Sequence, residues 1–129
     1  MTNSSHALRV LVIDDEPLIR WSLAETLAGR GYIVAEAADA AAARRIVADP
    51  GQHPDVVLLD YRLPDSNDLG LLRSIRDAVP DAQIIVMTAY GTPEMAKSAL
   101  DMGVYCVVGK PFEVDDLADL VSQAHAAAR

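Results

Sequence analysis

The stretch that most constrains the fold is the apolar run of residues 56–59, which ends on the carboxylate of Asp60. An uncharged Val-Val-Leu-Leu run is typical of a strand that is buried on both faces. The sequence Leu63-Pro64-Asp65 follows and predicts a turn. We therefore expect Asp60 at the rim of a sheet, where side chains meet solvent and ligands.

Four other apolar runs predict strands, and an amphipathic segment follows each strand. The expected strands cover residues 8–13, 32–35, 55–60, 83–88 and 104–108. Helix starts are expected near Pro17, Asp39, Asn67-Asp68, Thr92-Pro93 and Lys110-Pro111, and the last helix is expected to carry Phe112 on its apolar stripe. This alternation predicts an α/β domain with a doubly wound, five-stranded parallel sheet that helices cover on both faces.

The composition narrows the class of protein. A chain of 129 residues with 51% hydrophobic residues is long enough for one domain with a core, which we expect over residues 7–129 after a flexible N-terminal tail at residues 1–6. The net charge of −8 and the absence of a cluster of Lys or Arg argue against direct binding to nucleic acid. No apolar run approaches the ~20 residues that span a bilayer, so we expect a cytoplasmic protein without membrane contact. Cys106 is expected to be a buried, inert thiol.

Polar residues end or follow four of the five expected strands. Asp14 and Asp15 follow the first strand, Asp60 ends the third, Thr88 ends the fourth and Lys110 follows the fifth. The carboxyl ends of parallel strands meet at one edge of the sheet. One common order, 2-1-3-4-5, which we adopt from known flavodoxin-like (βα)5 folds, places the first and third strands side by side. The three aspartates would then converge.

Each of these residues has an ordinary explanation when it is taken alone: a helix cap, a turn residue, a strand end or a solvated charge. Together they are harder to explain, because two carboxylates about 4 Å apart repel by roughly 4 kcal/mol at an effective dielectric of about 20. A cation among them would remove that cost, and open carboxylate sites suit Mg²⁺. Lys110 and the Thr88 hydroxyl could then contact a phosphoryl group. The pattern favours phosphoryl transfer onto a carboxylate.

From residue 8 to its last helix, the sequence resembles the receiver domains of two-component response regulators. Four motifs carry the resemblance, and they occur in the family's order and spacing. They are Val12-Ile13-Asp14-Asp15-Glu16-Pro17, Leu58-Leu59-Asp60 with Leu63-Pro64, Met87-Thr88-Ala89, and Lys110-Pro111-Phe112. The segments Ile19-Arg20-Trp21 and Thr88-Ala89-Tyr90-Gly91 resemble most closely the receivers of enhancer-binding transcription activators.

The resemblance implies a role for each site residue. Asp60 would accept the phosphoryl group from a sensor histidine kinase or a phosphotransfer protein. Asp15 would bind Mg²⁺ directly, Asp14 largely through water, and Asp60 and the main-chain carbonyl of Arg62 would be further ligands. Thr88 would bond the phosphoryl group, and Lys110 would neutralise it.

The resemblance also implies a phosphorylation-dependent signalling switch rather than an enzyme that turns over external substrates. Its output would be the surface of the fourth helix, fifth strand and fifth helix, which could contact a homodimer partner or an output domain. A cis peptide bond is expected between Lys110 and Pro111.

Two positions depart from the family's pattern. Val107 stands where an aromatic residue is common, so we expect either that the switch works without this aromatic residue or that Tyr105 or Tyr90 replaces it. We expect Tyr105 to share the face of Val107, because side chains two apart on a strand point the same way. Asp68 stands where the family tends to have glycine. Trp21, on the first helix, is expected in the core.

Three alternatives use the same fold. An aspartyl-nucleophile phosphatase typically carries a second aspartate two residues after the nucleophile, where this chain has Arg62. A flavin or nucleotide binder needs a Gly, Ser or Thr-rich loop after the first strand, where Asp14-Asp15-Glu16 would repel phosphate. A pseudo-receiver would be a binding module that never accepts phosphate, although the acceptor-site residues are all present.

Overall fold

The computed structural model describes residues 7–66 and 69–128. Within these ranges, strands and helices alternate. The strands are β1 (Arg9–Ile13), β2 (Ile33–Ala37), β3 (Val56–Asp60), β4 (Gln83–Thr88) and β5 (Cys106–Gly109). The helices are α1 (Pro17–Gly29), α2 (Ala40–Ala48), α3 (Gly70–Ala78), α4 (Pro93–Asp101) and α5 (Val114–Ala127), with a short 3₁₀ turn at Pro50–Gln52. The expected tail at 1–6 and the residues Asn67-Asp68 lie outside the described ranges.

The strands form one sheet in the order β2-β1-β3-β4-β5, and every pairing in it is parallel. This order and the α/β class confirm the sequence prediction. The pairing of Ile13 with Leu59 aligns the ends of β1 and β3, and the pairing of Asp60 with Met87 aligns the ends of β3 and β4. The chain therefore leaves β1 and β3 side by side at the carboxyl edge.

The sheet separates two core clusters. The first core cluster packs α2, α3 and α4 against Val57 and Leu59 of β3, and the second packs α1 and α5 against Val56 and Leu58. All four side chains are buried, so this uninterrupted apolar run contributes to the core on both faces of the sheet. Burying a side chain of this size contributes about 1.5–3 kcal/mol. The central position of β3 explains why all five of its residues are buried.

The predicted helix caps are present. The Asp39 carboxylate accepts a hydrogen bond from the Ala42 N–H at 2.8 Å, and the Thr92 hydroxyl accepts one from the Met95 N–H at 3.1 Å. Pro17 stands in the first turn of α1, where its missing N–H costs nothing. Gly31, with a φ of 90°, follows the end of α1 and reverses the chain into β2.

Two expectations about helix residues are wrong. The side chain of Trp21 is 59% exposed, because it is out of phase with Leu23 and Leu27, which α1 buries. Phe112 precedes α5, which begins at Val114, and it packs against the second core cluster from the connecting loop.

Cys106 is partly buried, and this burial raises the pKa of its thiol, which fits an unreactive residue.

Candidate functional site

Buried polar side chains mark the carboxyl edge of the sheet. Among the described residues, the polar or charged side chains that are buried are those of Asp14, Asp60 and Thr88. They stand directly after β1, at the end of β3 and at the end of β4. Because burying a charge is costly unless a partner compensates it, this placement points to a site rather than to packing.

Three carboxylates converge at this edge, as the sequence predicted. Asp14, Asp15 and Asp60 each offer an oxygen that lies within 4.8 Å of the other two. Asp14 and Asp60 are buried, whereas Asp15 is exposed. One oxygen of Asp14 already accepts a hydrogen bond from the Glu16 N–H at 2.9 Å. The remaining oxygens form a hard, anionic donor set that fits a divalent cation such as Mg²⁺.

Lys110 is the cation that this arrangement brings to the carboxylates. Its ammonium nitrogen lies 2.9 Å from Asp14 Oδ2, 3.2 Å from Asp60 Oδ2 and 3.3 Å from Glu16 Oε1. Burial lowers the pKa of Lys110, but the hydrogen bonds and charges of Asp14 and Asp60 outweigh burial and raise it above its ordinary value. The lysine therefore stays protonated. The peptide bond from Lys110 to Pro111 is cis, as the resemblance implied.

The acid strength of Asp60 reflects this crowded position. Burial and the nearby charge of Asp14 raise the pKa of Asp60 to about 6, against the opposing charge and hydrogen bond of Lys110 and the hydrogen bond from the Arg62 N–H. The lysine thus compensates only part of the cost of holding two buried carboxylates together. The site is poised to accept additional positive charge.

Thr88 is held by its neighbours in a narrow space. Its hydroxyl accepts a hydrogen bond from the Tyr90 N–H at 3.2 Å, which leaves the hydroxyl proton free to be donated. A Cβ at Gly91 would lie 2.7 Å from the Thr88 methyl carbon and 3.1 Å from Cε of Met95. Gly91 is therefore needed for close packing against Thr88, a role that its place in the Tyr90-Gly91 segment did not predict.

Arg62 and Tyr90 connect the loops that follow β3 and β4. The Arg62 N–H donates to Asp60 Oδ1 at 3.2 Å, and its guanidinium carbon lies 5.7 Å from the centroid of the Tyr90 ring. A cation at this distance from an aromatic ring is attracted to it. The structure therefore brings the Tyr90 ring next to the side chain of Arg62, two residues after the phosphoacceptor candidate.

Tyr105 does not share the face of Val107, so that expectation is wrong. Val107 packs against the first core cluster, whereas Tyr105 packs against the second. The reason is that β5 begins at Cys106, and alternation of side chains holds only within the strand. A role for Tyr105 in switching would have to act through the side of the sheet that α1 and α5 cover.

Sequence reasoning did not assign roles to Glu16 and Asp65. Glu16 pairs with Lys110, a contact between residues 94 positions apart. The Asp65 carboxylate accepts hydrogen bonds from the N–H groups of Ala40 at 2.8 Å and Ala41 at 3.1 Å, at the start of α2. In the sequence, only its place beside the two aspartates points to a role for Glu16. Only its place in a predicted turn marks Asp65.

The fold and the site define a class: a doubly wound α/β domain with an acidic, lysine-paired pocket at the carboxyl edge of its sheet. The family model described as "Response regulator receiver domain" matches residues 10–122. The chain therefore belongs to the response regulator receiver family, whose members are the phosphorylation-dependent signalling switches of two-component systems.

Similar proteins include both long and short chains. The chain is 36% identical over 115 residues to the DNA-binding transcriptional regulator NtrC of Escherichia coli (strain K12), covering 89% of this chain and 24% of NtrC. It is 31% identical over 115 residues to sporulation initiation phosphotransferase F of Bacillus subtilis (strain 168), covering 89% of this chain and 91% of that protein. The chain thus spans about a quarter of the length of NtrC.

A solved structure supports the same fold. The response regulator receiver domain protein (CheY-like) from Methanospirillum hungatei JF-1 superposes with a TM-score of 0.89 at 25% identity, covering 95% of this chain and 97% of that one.

Within residues 7–66 and 69–128, no helix is both long enough and apolar enough to cross a membrane.

Proposed function

We propose that Asp60 of this chain accepts a phosphoryl group from the phosphohistidine of a sensor histidine kinase or a phosphotransfer protein, in the cytoplasm and with Mg²⁺ as cofactor. The observation that carries the proposal is the buried Asp60 carboxylate, which lies among two other aspartates and Lys110. The chain would act as a switch and would not turn over external substrates.

The site residues have distinct proposed roles. Four groups would hold Mg²⁺: Asp15, Asp14 through water, Asp60 and the carbonyl of Arg62. The bound ion would offset the negative charge of the phosphoryl oxygens. An oxygen of Asp60 attacks phosphorus, the phosphorus–nitrogen bond of the donor breaks, and the donor imidazole keeps the electron pair. Lys110, now bonded to Asp60 Oδ2, would pair with a phosphoryl oxygen, and the Thr88 hydroxyl would donate to another.

The proposed output follows from where Thr88 and Lys110 stand. Thr88 ends β4, and the Lys110 N–H donates to the Thr88 carbonyl at 2.8 Å, so a backbone hydrogen bond links the two residues. Charge-assisted hydrogen bonds contribute about 1.5–3 kcal/mol each, and two or three of them approach the roughly 5.5 kcal/mol that inverts a 1:99 equilibrium. We expect the change to reach the surface of α4, β5 and α5, where a homodimer partner or an output domain would bind. Tyr90, Tyr105 and Val107 remain candidate switch residues.

Two alternatives use the same pocket. An aspartyl-nucleophile phosphatase typically carries a second aspartate two residues after the nucleophile, and this chain has Arg62 there, with its guanidinium over the Tyr90 ring. A pseudo-receiver that never accepts phosphate has no use for a lysine and three carboxylates in contact. The relatives' names include a phosphotransferase, which favours phosphoryl relay over hydrolysis.

Incubation with acetyl phosphate and Mg²⁺, followed by mass spectrometry of the intact protein, tests the proposal. We expect one phosphoryl adduct, and its absence in Asp60→Asn. Sustained release of phosphate over many turnovers would instead identify a phosphatase. No adduct on the wild-type chain would identify a pseudo-receiver.

A groove beside the pocket offers a place for the phosphodonor to dock. It has a volume of about 240 Å³ and is lined by Leu18, Ile19, Ser22, Lys110, Pro111, Phe112 and Val114. Leu18 is 76% exposed although it is a large apolar residue. Because Lys110 lines both the groove and the acidic pocket, a protein seated in the groove could place its phosphohistidine beside Asp60.

Leu18→Glu is expected to slow phosphoryl transfer from a phosphohistidine protein about tenfold, since a charge replaces an apolar contact at the centre of a docking surface. Transfer from acetyl phosphate should not change, because that donor needs no groove. Leu100→Glu is the matched control: Leu100 is 50% exposed on α4, away from the groove. Equal rates for both variants with the phosphohistidine protein would contradict docking in the groove.

A further inference from the structure

The loop that follows β3 is fixed at three places in the structure. The Arg62 N–H bonds Asp60 Oδ1 at 3.2 Å. Leu63 is buried, and it exchanges backbone hydrogen bonds with Ser66, at 2.7 Å from the Leu63 N–H and 3.2 Å from the Ser66 N–H. At the tip of this turn, the exposed Asp65 reaches the start of α2.

The contact between Asp65 and α2 uses both carboxylate oxygens. Oδ1 accepts from the Ala40 N–H at 2.8 Å, and Oδ2 accepts from the Ala41 N–H at 3.1 Å. These N–H groups have no partner within the helix, because the first turn of a helix leaves its amides free. Asp39 bonds the next amide, that of Ala42. The start of α2 is thus held by one carboxylate from its own chain segment and by one from the phosphoacceptor loop.

The turn controls the direction of one backbone oxygen. The Arg62 carbonyl and the Leu63 N–H belong to the same peptide unit, which is planar and trans, so the two groups point in opposite directions. The hydrogen bond from the Leu63 N–H to the Ser66 carbonyl therefore fixes the direction of the Arg62 carbonyl. Any restraint on the turn is also a restraint on that oxygen.

We infer that Asp65 is a positioning residue for the cation site: by clamping the turn to α2, it holds the Arg62 carbonyl in place before an ion binds. This inference rests on the proposed function, in which that carbonyl is a ligand of Mg²⁺. Partners that orient ligands in this way affect metal affinity without touching the metal. The hydrogen bonds from α2 keep Asp65 ionised by lowering the pKa of its carboxyl group.

The test compares Asp65→Ala with Asp39→Ala by titration of Mg²⁺ into labelled protein, followed through backbone amide shifts in NMR spectra. Each variant removes one acidic cap from α2, so the two share a loss of charge and a loss of helix capping. We expect the Mg²⁺ dissociation constant to rise about tenfold in Asp65→Ala and by less than about twofold in Asp39→Ala. Equal dissociation constants for the two variants would overturn the inference.

Asp65→Asn separates the hydrogen bonds from the charge. It removes the charge but keeps one carbonyl oxygen as an acceptor, so its Mg²⁺ affinity should fall between those of the wild type and Asp65→Ala. An affinity equal to that of Asp65→Ala would show that charge alone acts and would overturn the positioning role. Circular dichroism confirms that each variant is folded.

A second readout needs no ion. In protein free of divalent cations, the Leu63 N–H should exchange with solvent about tenfold faster in Asp65→Ala than in Asp39→Ala, because the turn that protects it opens more readily. Unchanged exchange would overturn the inference. A wild-type chain that binds no Mg²⁺ would instead overturn the proposed cation site, while the exchange rates would still report whether Asp65 clamps the turn.

Discussion

Lys110→Met is expected to destabilise the protein by about 3–5 kcal/mol at pH 7.5 in the absence of divalent cations, because it leaves buried carboxylates without their counter-charge. The lysine ammonium lies 2.9 Å from Asp14 Oδ2 and 3.2 Å from Asp60 Oδ2, and both aspartates are buried. Methionine keeps an unbranched side chain that is one heavy atom shorter, and it removes the ammonium group with its charge and its hydrogen bonds. Urea denaturation with a chelator present measures the loss.

The matched control is Lys97→Met on the surface of α4. Lys97 pairs with Asp101 at 2.9 Å, but both side chains are well exposed, so we expect a change of at most about 0.5 kcal/mol. Adding Mg²⁺ should restore part of the stability of Lys110→Met and leave Lys97→Met unaffected relative to the wild type. A loss below about 1 kcal/mol for Lys110→Met would mean that the carboxylates are less desolvated than their burial indicates.

Asp60→Asn is expected to abolish phosphorylation and, without divalent cations, to stabilise the folded state by about 2–3 kcal/mol at pH 7.5. Burial and the charge of Asp14 raise the pKa of Asp60 to about 6, above the roughly 3.9 of an unfolded aspartate. Asparagine removes the charge that creates this cost, and its oxygen can still accept the bond from the Arg62 N–H.

The raised pKa of Asp60 determines how the free energy of unfolding changes with pH. The folded protein holds the Asp60 proton more tightly than the unfolded chain does, so this group favours folding below about pH 4, and that contribution is lost as the pH rises through about 6. The advantage of Asp60→Asn should therefore shrink to nearly zero below about pH 4. The control is Asp101→Asn, which removes an exposed carboxylate from α4 and should change the free energy of unfolding by at most about 0.5 kcal/mol at pH 7.5. A constant advantage from pH 4 to pH 8 would contradict the raised pKa.

Much of the fold was predictable because its local signals agree. The apolar run of residues 56–59 is typical of a buried strand, and Pro17, Asp39 and Thr92 begin their helices for reasons of backbone chemistry. Trp21 is exposed because the spacing of Leu23 and Leu27 puts it on the outer face of α1. The preference of aromatic residues for the core predicts burial, but the periodicity of the helix determines the position.

The candidate site was predictable as far as strand ends determine it. Asp14, Asp60, Thr88 and Lys110 come together because parallel strands end at one edge. The contacts of Asp65 could not be predicted, since they join a turn to a helix 25 residues away through a side chain that has many directions open to it. Tyr105 shows the same limit: β5 begins at Cys106, two residues later than expected, so Tyr105 lies before the strand and its ring joins the second core cluster.

The strands that lead to Asp60 and to Lys110 differ in how many neighbouring strands hold them. β3 lies at the centre of the sheet between β1 and β4, whereas β5, which leads into Lys110, is an edge strand bonded to β4 alone. Shifting an edge strand breaks one ladder of hydrogen bonds, and shifting a central strand breaks two. The salt bridge between Lys110 and Asp60 thus joins a strand that is held on both sides to the end of a strand that is held on one side only.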